Sequence, residues 1–283
     1  MYGLHINSDI NSLNDELTRI TKLVKLAKHE DLKCLQLFVN INHKYKSQYD
    51  DFKKLCILNK VNIIVHLSYT INIAQNWDEY SWWITQLIME IKLAYNIGAK
   101  IAVLHIGKKL DLDLKVAINN MYSSLLYVLM QIKDIDIKIL LETSSGQGSE
   151  MCITIDDLSN FINKLLKNKN KHISDKIGIC VDTCHIFNAG YNLNTTKDVT
   201  DYIKEFDQKI GIKNIKLVHL NNSKTELGAN IDRHDNLEKG KIKIEGIKEI
   251  IKFCKKLDIP IILETPDEYI NDDLELVKNI IKY

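Results

Sequence analysis

The chain has 283 residues, 45% hydrophobic and 27% charged, with a formal net charge of +1. That length suits one α/β barrel, and the balanced charge excludes any global pull toward nucleic acid, so such a partner would have to be held by a local basic rim. No apolar run is long enough to span a membrane, the start MYGLHINSDIN lacks the parts of an export signal, and the six cysteines show no small-domain disulfide spacing; reduced thiols in a cytoplasmic or nuclear compartment, or a viral replication compartment, are expected.

In chain order, a strand-like run at 3–8 is followed by a helical pattern at 12–29, and a run at 32–39 by a helix at 47–59. The pairs continue as 62–68 with 77–97, 100–107 with 112–133, and 138–145 with 154–168. Three more follow: 177–185 with 198–210, 216–223 with 243–257, and 259–266 with 272–282. The strand runs are continuously apolar rather than alternating, as for parallel strands covered on both faces. The clearest helix carries Tyr80, Trp83, Ile84, Leu87, Ile88, Ile91, Ala94 and Tyr95 on one stripe, with Asn76 and Glu79 as its expected capping box and Gly98 as its stop. Eight alternations of strand and helix, with no linker between them, predict a single (β/α)8 TIM barrel over 1–283.

Chemistry in such a barrel sits at the C-terminal ends of the strands. His66, His105, His185 and His219 fall there, with His234 in the loop after the seventh strand, and Glu142, Asp182, Asp232 and Glu264 join them. Singly, each has an ordinary reading as a hydrogen-bonded core histidine or a helix-capping acid. Together they would repel or go unpaired without cations among them. One ion takes roughly four to six protein ligands, so nine candidates imply two or three ions sharing a carboxylate. Imidazole with carboxylate suits Zn²⁺, with Mn²⁺ at one site or iron as weaker matches. Cys180 and Cys184 lie beside two of these residues but are expected as small buried apolar groups rather than thiolate ligands.

The blocks ETSSGQGS (142–149), GICVDTCHIFNAGY (178–191), HLNNSKTELGANIDRHDNLEKG (219–240) and ILETP (262–266) resemble the endonuclease IV family of apurinic/apyrimidinic (AP) endonucleases. The resemblance implies a barrel with three zinc ions. It implies hydrolysis of the phosphodiester 5′ to abasic sites in duplex DNA, leaving 3′-OH and 5′-deoxyribose phosphate ends, and removal of 3′ blocking groups, within base excision repair. It places His66, His105 and Glu142 at one ion, Glu142, Asp182, His219 and Glu264 at a second, and His185, Asp232 and His234 at the third. Tyr69 matches a tyrosine near the family's active site. Where relatives carry an arginine-containing segment that enters DNA, this chain reads VNINHKYKS (39–47), leaving Asn42, His43, Lys44 and Tyr45 as candidate substitutes.

Clustered metals supply an activated hydroxide, charge neutralisation and a Lewis acid for the leaving oxygen, so no side-chain nucleophile is needed. Glu142 is expected to set the metal separation and Glu264 to help orient the attacking hydroxide. Arg233 is one of only two arginines among 38 basic residues and lies between two of the candidate ligands. A guanidinium there can clamp a phosphate bidentately, which an ammonium cannot. Gly146 and Gly148 read either as an ordinary turn or as a loop approaching DNA closely, with the resemblance favouring the second. A monomer is the default expectation. The alternatives are a metal-dependent sugar isomerase or epimerase of the same barrel superfamily, and a non-catalytic abasic-DNA-binding protein.

Overall fold

The computed structural model describes residues 1–6, 32–39 and 46–282. The helix expected at 12–29 and the candidates Asn42, His43, Lys44 and Tyr45 lie outside the described residues. Eight parallel strands close a barrel: β1 (Tyr2–Ile6), β2 (Cys34–Phe38), β3 (Asn62–His66), β4 (Ile101–His105), β5 (Lys138–Glu142), β6 (Ile177–Asp182), β7 (Ile215–His219) and β10 (Ile261–Leu263). Each pairs with its sequence neighbours, and β1 closes the ring against β10 with Tyr2 opposite Ile261. A short antiparallel hairpin, β8 (Asn222–Ser223) with β9 (His234–Asp235), rises from the end of β7.

Helices cover the outside: α1 (Lys46–Asn59), α2 (Trp82–Asn96), α3 (Leu114–Gln131), α4 (Ile155–Leu166), α5 (Lys171–Ser174), α6 (Thr183–Asn188), α7 (Thr196–Lys209), α8 (Ile244–Leu257) and α9 (Ile270–Lys282). Their apolar stripes, such as Phe161, Ile162 and Leu165 of α4, are buried against the strands. Among the described residues, five helix starts carry side-chain caps, from Asp113, Thr154, Asn170, Asp182 and Thr195, the last in a capping box with Asp198.

Two differences from the expected boundaries bear on the site and its surroundings. Helix α2 begins at Trp82 rather than 77, and the Asn76–Glu79 capping box does not form. The segment before it is held in turns, with the Ser81 hydroxyl donating to Asp78 Oδ1 at 2.9 Å and Asn72 Oδ1 accepting from the amides of Ala74 and Lys108. The run 177–185 also splits: the strand stops at Asp182, whose carboxylate accepts from the His185 amide at 2.8 Å and so starts α6. His185 therefore approaches the site from a helix rather than a strand.

Candidate metal centre

Side chains on a strand alternate between faces, so residues two apart share one. Cys34, Ile64, Val103, Leu140, Cys180, Leu217 and Ile262, one from each of seven strands, form a buried apolar cluster. Two positions further on, on the same face, stand Gln36, His66, His105, Glu142, Asp182, His219 and Glu264. On β1 the same step runs from Gly3 to His5. Gly3 is required there, because a Cβ would meet the Cys34 carbonyl oxygen at 1.7 Å. An apolar plug thus floors the bowl and a ring of polar side chains stands above it. His185, Asp232 and His234 are added from α6 and the hairpin.

Among the described residues, three groups of candidate donors built from imidazole and carboxylate alone result, each within 4.8 Å internally. In the first, His66 Nε2 and His105 Nε2 lie 3.4 and 3.1 Å from Glu142 Oε2. In the second, His219 Nδ1 lies 2.6 Å from Glu142 Oε1, 3.3 Å from Glu264 Oε2 and 3.9 Å from Asp182 Oδ2. In the third, His185 Nε2 and His234 Nε2 face the two oxygens of Asp232 at 3.2 and 3.1 Å. Glu142 divides its oxygens between the first two groups, which is the disposition of a bridging carboxylate.

The ring orientations follow from hydrogen bonds to carbonyl oxygens, which only accept. His66, His185 and His234 each present Nδ1 to a backbone carbonyl, those of Leu67, Thr143 and Glu264, at 2.8, 2.8 and 3.2 Å. Their Nε2 atoms are thereby turned inward. His185 Nε2 and His234 Nε2 are buried and, although each lies within 3.2 Å of Asp232, neither is aligned to hydrogen-bond with it. Buried polar nitrogens rarely stay unpartnered, and these two face a carboxylate across a gap suited to a cation. The residues present therefore fit a group of divalent ions, and nitrogen with carboxylate donors fits zinc.

Electrostatics agree. Burial works against charge on His185 and His219, yet Asp182 and Asp232 hold the first, and Glu264 and Glu142 help hold the second, well above the ordinary histidine value. His234, also opposed by burial, is raised to about 9 by Asp182 and Asp232. Against the same desolvation, imidazoles hold Glu142 and Asp232 well below the carboxylate range, while burial pushes Asp182 up.

The sequence reading missed the residues that hold these donors. Gln147 accepts from the Asp232 amide at 2.9 Å, and Asn221 donates to Asp182 Oδ2 at 2.7 Å. His5 and Gln36 complete the ring on β1 and β2, where the same two-residue step from Gly3 and Cys34 was the available signal. Cys180 and Cys184 lie within reach of the second and third groups, and burial pushes both thiols up to about 12, as expected of neutral buried groups.

Around the bowl, Tyr69 is 70% exposed, with its ring edge-on to Phe38 at 5.9 Å. Arg233 is exposed and forms no ion pair among the described residues; its Nη1 donates to the Asp232 carbonyl at 2.5 Å. Gly146 and Gly148 both have positive φ, at 84° and 65°. At Gly146 a Cβ would also meet Asn230 Nδ2 at 2.4 Å, whereas at Gly148 it would enter open space. Gly146→Ala is therefore expected to cost about 1–3 kcal/mol and Gly148→Ala about 1 kcal/mol, read as shifts in denaturant midpoint. Equal costs would contradict the role given to Asn230.

A family model of xylose isomerase-like TIM barrels matches residues 24–281. The chain is 34% identical over 237 residues to a protein named endonuclease 4 in Acanthamoeba polyphaga mimivirus, covering 81% of this chain and 74% of that one. A protein of the same name in Mycoplasmopsis synoviae (strain 53) is 38% identical over 221 residues, covering 78% and 75%. Endonuclease IV from Thermus thermophilus has the same fold, with a TM-score of 0.78 at 20% identity over 99% of this chain and 98% of that one. A D-tagatose 3-epimerase-like protein reaches 0.69 at 19% identity over 99% and 95%. Fold and site together define a xylose isomerase-like barrel with a carboxylate–imidazole centre. Within that class, the chain belongs to the endonuclease IV family. Among the described residues, no helix is long and apolar enough to cross a membrane.

Proposed function

We propose that the protein is a zinc-dependent AP endonuclease that hydrolyses the phosphodiester 5′ to abasic sites in duplex DNA and clears blocked 3′ ends. The observation that carries this reading is the shared Glu142 carboxylate, with one oxygen beside His219 and the other beside His66 and His105. A third group with two buried, unpartnered imidazole nitrogens stands alongside. Three bound ions would supply an activated water, neutralise the phosphate and stabilise the leaving oxygen. His66, His105 and Glu142 would hold the first, Glu142, Asp182, His219 and Glu264 the second, and His185, Asp232 and His234 the third. Mn²⁺ is an alternative occupant at one of them.

Each side chain has a definite task on this reading. Glu142 fixes the separation of two sites, and Glu264 lines the second with the oxygen facing His219. Arg233, anchored by its neighbours in the hairpin, grips a DNA phosphate at the rim. Tyr69 offers an aromatic face where an abasic nucleotide leaves the stack, a rotation made cheaper by the missing base. Gly148, open to solvent, lets backbone approach DNA.

The test is cleavage of a duplex carrying one abasic-site analogue, with and without prolonged chelation. Incision 5′ to the lesion that disappears on chelation supports the proposal. Lesion binding by metal-replete protein without incision would instead favour a non-catalytic binder, and a single ion per chain a sugar isomerase. Arg233→Ala is expected to weaken lesion-duplex binding about tenfold and to lower the slope of log affinity against log salt by about 0.9, the loss of one phosphate contact. Its zinc content should match the wild type, and an unchanged salt slope would remove Arg233 from the DNA interface.

A further inference from the structure

His219 differs from the other imidazoles of the centre in how it is held. His66, His185 and His234 are oriented by backbone carbonyls and turn Nε2 inward. His219 instead turns Nδ1 inward, and its Nε2 meets Gln36 Oε1 at 2.9 Å. The same glutamine amide nitrogen donates to Glu264 Oε1 at 2.6 Å and to His5 Nδ1 at 2.8 Å. A glutamine amide has two N–H donors and an oxygen acceptor, and here all of them are engaged, by His5 on β1, His219 on β7 and Glu264 just past β10. Gln36 and His219 are both fully buried, so no water replaces these bonds.

We propose that Gln36 is the positioning residue for the Asp182–His219–Glu264 ligand set, acting on two of its members at once. This rests on the metal-centre reading above. Accepting from Nε2 leaves the His219 Nδ1 lone pair for the ion. Donating to Glu264 Oε1 occupies that oxygen and leaves Oε2, 3.3 Å from His219 Nδ1, turned to the same point. Only an amide does both. A carboxylate at position 36 accepts from His219 but places a second negative charge against Glu264, and an apolar chain does neither. His5 fixes which way the amide faces, because its Nδ1 must accept for the second N–H to be satisfied. Outer hydrogen bonds of this kind contribute about 10- to 100-fold in metal affinity.

The test compares the full-length wild type, Gln36→Met and Gln36→Glu after zinc loading, by zinc per chain across a chelator series and by proton NMR of the imidazole N–H region. Gln36→Met is expected to release one zinc at a chelator concentration about 10- to 100-fold lower than wild type while keeping the others. Its His219 Nε2 proton, downfield and slow to exchange in the wild type, should disappear. Gln36→Glu should keep that proton and still release the zinc early, and it preserves side-chain size should the methionine variant fold poorly. Wild-type zinc retention with an unchanged proton signal would overturn the proposal. Simultaneous loss of all ions together with a lowered melting temperature would overturn it in favour of a general structural role. A wild type that takes up no divalent ion would overturn the metal-centre reading, and this inference with it.

Discussion

Glu142→Gln is expected to reduce incision at an abasic site at least a thousandfold, about 4 kcal/mol on the barrier. The substitution preserves shape and removes only the charge and one acceptor oxygen. That oxygen matters because both are in use: Oε1 stands 2.6 Å from His219 Nδ1, and Oε2 stands 3.1 Å from His105 Nε2 and 3.4 Å from His66 Nε2. An amide nitrogen cannot ligate beside either group, so on the proposed reading one of two adjacent ion sites would lose its anchor and their spacing would no longer be set. His66, His105 and His219 also lose a carboxylate oxygen that stands within 3.4 Å of an imidazole nitrogen. Metal-free Glu142→Gln should therefore differ in stability from metal-free wild type, separating the structural part of the effect from the catalytic part. Incision within tenfold of wild type at full metal occupancy would sink the bridging role.

Much of this centre was legible because strand alternation leaves a mark in the sequence. His66, His105, Glu142, Asp182, His219 and Glu264 each follow an apolar residue two positions earlier, and a barrel turns such positions inward. The resemblance supplied the division into three groups, which spacing alone does not give, since Asp232 and His234 come from a loop. His185 was read onto a strand because the run from 177 is apolar and β-branched almost without a break. The competing signal was Asp182 itself, whose carboxylate caps the following turn and ends the strand.

His5 and Gln36 were overlooked for a different reason. Neither has a charge or a partner close in sequence, and Gln36 meets Glu264 across 228 residues and His219 across 183. A polar residue on an inward strand position is informative only once the barrel has closed and shown what it faces. The hairpin of β8 and β9 was hidden likewise. Its strands of two residues are too short for any periodicity, and it is held by Asn222, whose side chain bonds the backbone of Leu237 and Ile242.

The affinity of the third group for zinc is expected to rise with pH above neutrality, by at least about tenfold per unit between pH 7 and 8. In the metal-free protein His234 keeps its proton up to about 9, and His185 is likewise held well above the ordinary value, by the acids Asp182 and Asp232 against the effect of burial. A ligand nitrogen must be deprotonated, so below about pH 9 an ion bound here expels the His234 proton, with that of His185 wherever it is still held, and each proton contributes about tenfold per pH unit. Histidines near the ordinary value of about 6.5 would show no slope above neutrality. The stability signs then oppose one another. Raised folded values stabilise the metal-free protein below about pH 6.5, and that contribution is lost as pH rises through about 9. The zinc-loaded protein gains over the same range, because the proton no longer competes with the ion. The gap in melting temperature between loaded and stripped protein should therefore widen from pH 7 to 9, alongside proton release measured by titration calorimetry in two buffers of different ionisation enthalpy. An affinity that stays flat over that interval would mean that the two imidazoles are already neutral, and that Asp182 and Asp232 do not hold them charged.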